Sequence, residues 1–385
     1  MKNFHFACPG EIFFGPGCIE ENHAVFRRCG RRAYIFTSKF PAGIKNLALD
    51  TVTEALAAEG IEYAVDDNAP VDPPAEAAAA MVQEVVDFGA EMIIAVGGGS
   101  AMDTAKSVNI LLKYPGEDPY QVLFGDGPHV FGVGGPNEGA LPFLTVATTA
   151  GTGADITGVA VMTRTDQHTK SGTNRRCFAN YIFVDPRFVK GAPKKLNQAT
   201  AVDALCHGLE TYVSRDSRDD FMTTMLAEQA FLLFNQIKEP LLRHEMSDED
   251  YIIQALHSTL QGINIVNELT GVPHGLGYPL STYYHVPHGL ACGIFEGEYL
   301  RCFRDRARVD RAMALLGFAS VDDFCDYIQA ILAPHLDLKI TRQEIVDWTD
   351  VFCATQWRLD RHPEALTHEM VFGMYERALQ KFLID

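Results

Sequence analysis

Between residues 33 and 112, short apolar runs alternate with stretches whose apolar residues recur at helical spacing. AYIFTS (33–38) and MIIAV (92–96) read as buried strands, and 61–66 as a shorter one. The stretches 42–58 and 74–88 read as helices closed by Gly60 and Gly89. MIIAV runs directly into Gly97-Gly98-Gly99-Ser100 and a helix reaching about Leu112. Residues 4–14 alternate loosely up to Gly15-Pro16-Gly17, which predicts a strand or hairpin. The Pro/Gly-rich segment 115–140 breaks the rhythm as an elaborated loop, and strands return at 142–147 and 181–185. Such alternation predicts a parallel sheet with helices on both faces.

From about Pro186 the pattern changes to long amphipathic stretches at 200–215, 219–237, 248–267, 289–304, 321–333, 342–355 and 366–383. The expected architecture is an α/β domain over 1–187 and an all-α domain over 188–385, with the boundary near 186–193.

The length of 385 residues fits two cores better than one. A net charge of -18 without a basic stretch argues against nucleic acid or an anionic membrane as partner. No run of about eighteen apolar residues predicts a membrane span, and MKNFHFACPG lacks a signal-peptide core. Nine scattered cysteines without a C-x-x-C pair suit the reduced thiols of a cytoplasmic protein.

Two fragments carry the strongest chemistry. Asp203 and His207 stand four apart in a predicted helix and share one face. The later stretch GVPHGLGYPLSTYYHVPHG (271–289) holds His274, His285 and His288 among glycines and prolines, and reads as irregular. Together they offer an Asp-His-His-His metal site, whose mixed N/O donors suit Fe(II), Zn(II) or Mn(II). Singly each residue has a plainer reading: His207 as a buried core histidine, Asp203 as a helix-start charge, His288 as a turn residue. Tyr278 is either a core aromatic or a hydroxyl near the site. The acidic runs at 246–250 and 321–323 read as solvated helix starts.

The strand–glycine–helix turn at 97–100 lets backbone N–H groups approach a pyrophosphate at a helix N-terminus. It is not a G-x-G-x-x-G fingerprint, and a tight turn alone also explains glycine there. In TVATTAGTGAD (145–155), Thr148, Thr149 and Thr152 either bond a ribose or phosphate or close their own turn.

These motifs (FFGPG, GGGSAMDTAK at 97–106, TTAGTGAD at 148–155, DALCHGLE at 203–210 and HG…PHG at 274–289) resemble those of the iron-containing (group III) alcohol dehydrogenases. The resemblance covers most of the chain, in order, and fades after about residue 305. It implies a dinucleotide-binding α/β domain, a helical domain, and a catalytic metal in the cleft between them. Asp203, His207, His274 and His288 would be the ligands. The cofactor would meet Gly98, Gly99, Ser100, Asp103, Thr148, Thr149 and Thr152, with Lys170 a later contact. The activity implied is reversible hydride transfer between NAD(P) and a small alcohol or aldehyde, in a homodimer or larger assembly.

Two departures stand out. Where many members carry a further histidine four residues past the third ligand, this chain has Tyr278, so proton transfer falls to Tyr278, His285 or water. Where NAD-preferring relatives often place an Asp at the end of the first strand, this chain has Thr37-Ser38-Lys39, which points to NADP(H). A dehydroquinate synthase-like lyase is the alternative, but the Lys/Arg cluster that a phosphorylated substrate needs is missing near 203–289.

Overall fold

The structure, a computed structural model, describes residues 3–39, 45–125, 136–167, 169–217 and 220–384. It divides after Ala192 into a unit over Ala7–Ala192 and one over Pro193–Asp385 that also takes in the chain's first residues. The division falls at the far end of the 186–193 segment because the short helix Pro186–Val189 is tied back. Asp185 caps it, and Arg187 binds both Asp185 and Glu20.

The described strands of the first unit are β1 (Glu11–Phe14), β2 (Arg32–Phe36), β3 (Glu62–Asp66), β4 (Met92–Gly97), β5 (Phe143–Ala147), β6 (Val161–Arg164), β7 (Thr169–Gly172) and β8 (Tyr181–Val184). Six of them form a parallel sheet in the order β1-β8-β5-β4-β2-β3. β4 and β5 are buried along their whole length, as central strands covered on both faces must be. Val52, Ala55 and Leu56 of the Leu47–Ala58 helix pack on Ile35, Ile94 and Leu144 of the sheet. The Ala75–Phe88 helix stops at Gly89, whose left-handed φ of 68° closes it.

Several sequence expectations need correction here. Residues 4–14 form no hairpin; only β1 is a strand, and it pairs with β8 far along the chain. The 115–140 segment contains the helix Pro119–Phe124, capped by Asp118, while its residues 126–135 lie outside those described. The antiparallel pair β6–β7 was not anticipated, because four-residue strands of mostly polar composition leave little alternation to read.

The second unit is helical. Its main helices are Lys194–Val213, Phe221–Arg243, Asp248–Asn267, Val272–Tyr283, His288–Leu300, Ala307–Leu316, Val321–Leu332, Arg342–Cys353 and His368–Leu379. They share a core that includes Leu205, Leu209, Phe231, Phe234, Leu276, Leu290, Phe295 and Tyr375. The acidic runs do start helices: Ser247 and Asp250 form a reciprocal capping box, and Ser320 accepts from the Asp323 N–H. The 271–289 stretch is not irregular but two helices joined by a short turn. Pro273 sits in the first turn, where no N–H is needed, and Pro279 is accommodated inside. Among the described residues no helix is long and apolar enough to cross a membrane.

Candidate metal centre

The Lys194–Val213 helix is buried on every face from Asn197 onward. Three ionisable residues on it, Asp203, His207 and Glu210, therefore lie deep in the protein at positions i, i+4 and i+7. Asp203 stands nine residues inside the helix, so it does not serve a helix start. The His288–Leu300 helix meets it side by side. A methyl on Gly289 would run into the Ala199 carbonyl and lie 2.7 Å from Asp203 Cβ, so only glycine lets His288 come this close.

All four residues singled out as ligands converge. Asp203 Oδ1 lies 3.8 Å from His207 Nε2, 3.5 Å from His274 Nε2 and 4.0 Å from His288 Nε2. The His207 and His274 rings stack at 4.7 Å, and His288 meets His274 edge-on at 5.2 Å. Asp203 Oδ1 and His274 Nε2 are buried polar atoms without a hydrogen-bond partner among the described residues. Such atoms are costly to leave unpaired. An oxygen faced by three imidazole nitrogens is a donor set that fits a divalent cation. The His288 side chain is 35 % exposed while that of Asp203 is 3 %, so solvent reaches the cluster from the His288 side.

The charges of the cluster act strongly on one another. Burial works to raise the Asp203 carboxyl, but the nearby His207, His274 and His288 outweigh it and hold it well below the usual carboxylate range. Burial opposes charge on His274, yet Cys292, Glu210 and Asp203 drive its pKa well above the ordinary imidazole value. Glu296, buried beside Glu210, is pushed far up by desolvation and by that neighbouring charge.

Three residues at the centre were missed in the sequence. Glu210 accepts from His274 Nδ1 and from the Gly271 N–H, fixing which ring nitrogen faces Asp203. Its seven-residue spacing from Asp203 was a readable signal. Cys292, four residues after His288, brings its Sγ within 3.8 Å of that ring. Arg358 gave no sequence signal; it donates to the Tyr278 hydroxyl at 3.1 Å and to the Gly271 carbonyl at 3.2 Å. Tyr278 itself stacks on His288 at 6.0 Å. His285 sits exposed in left-handed backbone (φ 52°) in the turn between the two helices, with no described contact to the cluster.

In the first unit, the ends of β4 and β5 bring the glycine and threonine loops together. A Cβ on Gly98 would lie 3.1 Å from the Thr149 side chain, and one on Gly99 would lie 3.3 Å from that of Thr152. The Gly99–Leu111 helix begins inside the glycine run, one residue after the extended Gly98. Thr148 N–H donates to the Gly97 carbonyl, while Thr152 Oγ1 accepts from Ala154 N–H and closes its own turn. Ser100 Oγ accepts from the Asp72 N–H, and Asp72 pairs with Lys170 at 2.8 Å, so Lys170 is linked to the loop through Asp72. Asp103 is turned inward: its carboxylate meets Lys106 Nζ at 3.3 Å and the Val161 N–H at 3.0 Å. Ser38 spends its hydroxyl on the Ala69 carbonyl, and Lys39 beside it, past the end of β2, is exposed.

Residues 9–186 match the family described as iron-containing alcohol dehydrogenase, and residues 197–379 match the C-terminal domain of the Fe-containing alcohol dehydrogenase family. Sulfoacetaldehyde reductase of Bilophila wadsworthia (strain 3_1_6) is 30% identical over 286 residues, 73% of this chain and 70% of that protein. Lactaldehyde reductase of Escherichia coli (strain K12) is 28% identical over 385 residues, covering 95% and 97%. The crystal structure of an iron-containing alcohol dehydrogenase from Thermotoga maritima superposes with a TM-score of 0.86 at 27% identity, covering 98% of this chain and 100% of that one.

Proposed function

We propose, since the chain belongs to the iron-containing alcohol dehydrogenase family, that it interconverts a small primary alcohol and its aldehyde by hydride transfer with a nicotinamide dinucleotide. The observation that carries this reading is the single oxygen of Asp203 faced by three histidine Nε2 atoms within 4.0 Å. Asp203, His207, His274 and His288 would hold Fe(II), or Zn(II), as the family implies. A divalent ion held there supplies Lewis-acid stabilisation of charge on the substrate oxygen.

The chain's own residues do the rest. Asp203 offsets part of the charge of a bound cation, and Glu210 keeps His274 in the tautomer that offers Nε2. The Tyr278 hydroxyl, which accepts from Arg358 while its ring stacks on His288, would pass a proton between substrate and solvent. Gly98 and Gly99, at the N-terminus of the Gly99–Leu111 helix, leave room for a pyrophosphate to meet backbone N–H groups, with Thr149 and Thr152 alongside. Lys39 supports NADP(H), because a cation and no carboxylate follows Ser38. The relatives named above reduce sulfoacetaldehyde and lactaldehyde, which supports a short aldehyde with a polar neighbouring carbon as substrate. The lyase alternative is set aside, since both halves of the chain match alcohol dehydrogenase families.

The test is metal analysis of anaerobically purified protein, with the same sample assayed on propanal, sulfoacetaldehyde and lactaldehyde against NADPH and NADH. About one iron or zinc per chain with aldehyde-dependent oxidation of reduced cofactor is expected. A protein that stays metal-free and inactive after Fe(II) or Zn(II) is supplied would overturn the reading.

A further inference from the structure

The His288–Leu300 helix repeats the device seen in the Lys194–Val213 helix. Asp203 and His207 are an i,i+4 pair on one helix, and His288 and Cys292 are an i,i+4 pair on the other. Gly289 lets the two helices touch at Asp203, so the pairs face one space, with His274 arriving from a third helix. We propose that Cys292 is a sulfur donor to the metal, so that the ion sits among nitrogen, oxygen and sulfur rather than nitrogen and oxygen alone.

Four observations carry this. The donor atoms of Asp203, His274, His288 and Cys292 all lie within 4.8 Å of one another. Cys292 Sγ stands 3.8 Å from each ring nitrogen of His288. That contact puts the sulfur against the ring face, so a shared ion on Nε2 with a metal–sulfur bond of about 2.3 Å needs the His288 ring to turn. Cys292 is fully buried, and among the described cysteines it alone belongs to such a donor group. Cys206 lies beside His207 in sequence yet is not part of it. Finally, Asp203 Oδ1 and His274 Nε2, both buried and without a hydrogen-bond partner, are members of the same group.

The chemistry follows from the thiol. On coordination the S–H bond breaks, a metal–sulfur bond forms, and the proton leaves to the buffer. A thiolate and the Asp203 carboxylate together neutralise a divalent ion, where the carboxylate alone leaves it net positive. The soft donor shifts preference toward Zn(II) and away from Mn(II).

This inference rests on the metal reading under Proposed function, and cobalt separates the two. Metal-depleted full-length protein is titrated anaerobically with Co(II) and its absorption recorded. Visible ligand-field bands report binding; an intense near-ultraviolet band reports thiolate-to-cobalt charge transfer. We expect both in the wild type, loss of the charge-transfer band alone in Cys292→Ser, and its retention in Cys206→Ser. Proton release per Co(II), read in weak buffer, is expected to fall in Cys292→Ser. Ligand-field bands without charge transfer in the wild type would overturn the Cys292 donor and leave the four-ligand site standing, with the thiol merely packed on the His288 ring. This outcome needs no variant to fold. Charge transfer that survives in Cys292→Ser also overturns it. Absence of both bands would sink the metal reading itself.

Discussion

Glu210 accepts a hydrogen bond from His274 Nδ1, which leaves Nε2 as the nitrogen that ring can turn toward Asp203. The same carboxylate accepts the Gly271 N–H at 2.5 Å, so it fixes both the ring and the start of the helix that carries it. Orientation by a buried carboxylate is a common support for a metal-binding histidine.

Glu210→Gln should therefore weaken metal affinity by roughly 10- to 100-fold while the protein stays folded. Competition with a chelator of known affinity measures this, alongside circular dichroism. Unchanged affinity would show that Glu210 serves only packing.

Metal removal should lower stability as well as activity, because a ligand bound only to the native state stabilises it. At a free ion concentration of a hundred times Kd the gain is about 2.7 kcal/mol. For a helical unit of this size that is roughly 5 to 10 °C in Tm. Calorimetry of chelator-dialysed and Zn(II)-restored protein reads the shift, and identical melting curves would count against the centre.

Gly289→Ala probes the helix contact rather than a ligand. Its methyl would press on the Ala199 carbonyl and on Asp203, so the expected penalty is about 1–3 kcal/mol together with loss of metal. Urea unfolding and metal content are the readouts; wild-type metal content would mean the two helices have slack here.

Lys39→Ala should raise the KM for NADPH and leave that for NADH nearly unchanged, since only NADPH carries the 2′-phosphate that a cation would hold. Steady-state kinetics with both cofactors decide it. Equal changes for the two would remove Lys39 from cofactor choice.

His257 ties stability to pH. Buried against Phe234, with Nδ1–H donating to the Ala230 carbonyl at 2.9 Å, its imidazole is pushed down to about 4 by desolvation. The unfolded chain protonates it near its ordinary value, about 6.5, whereas the folded chain does not. Its contribution is thus complete above about pH 6.5 and is lost as pH falls toward 4, on the order of 3 kcal/mol in all. Urea unfolding of wild type across that range should show the decline, and His257→Gln should flatten it.

Much was legible in the sequence because it depends on local period and spacing. Strands such as MIIAV, the glycine run, and the i,i+4 pair of Asp203 and His207 are fixed within a few residues of chain. That His274 and His288 join that pair was suggested by their company of Gly and Pro and by the family resemblance. Tertiary structure alone decided the rest. Cys292 carries an ordinary residue type at an ordinary helical position, and the seven-residue spacing of Glu210 from Asp203 gives a shared helix face but not what that face meets. Their roles arise because Gly289 permits two helices to touch and because Gly271 presents its N–H to Glu210. Arg358 reaches Tyr278 across eighty residues of sequence, a distance over which no local pattern carries information. The family resemblance places Asp103 among the cofactor contacts, and only the fold shows that its carboxylate meets Lys106 and the Val161 N–H. Spacing settles which face of an element a residue occupies; packing settles what that face meets.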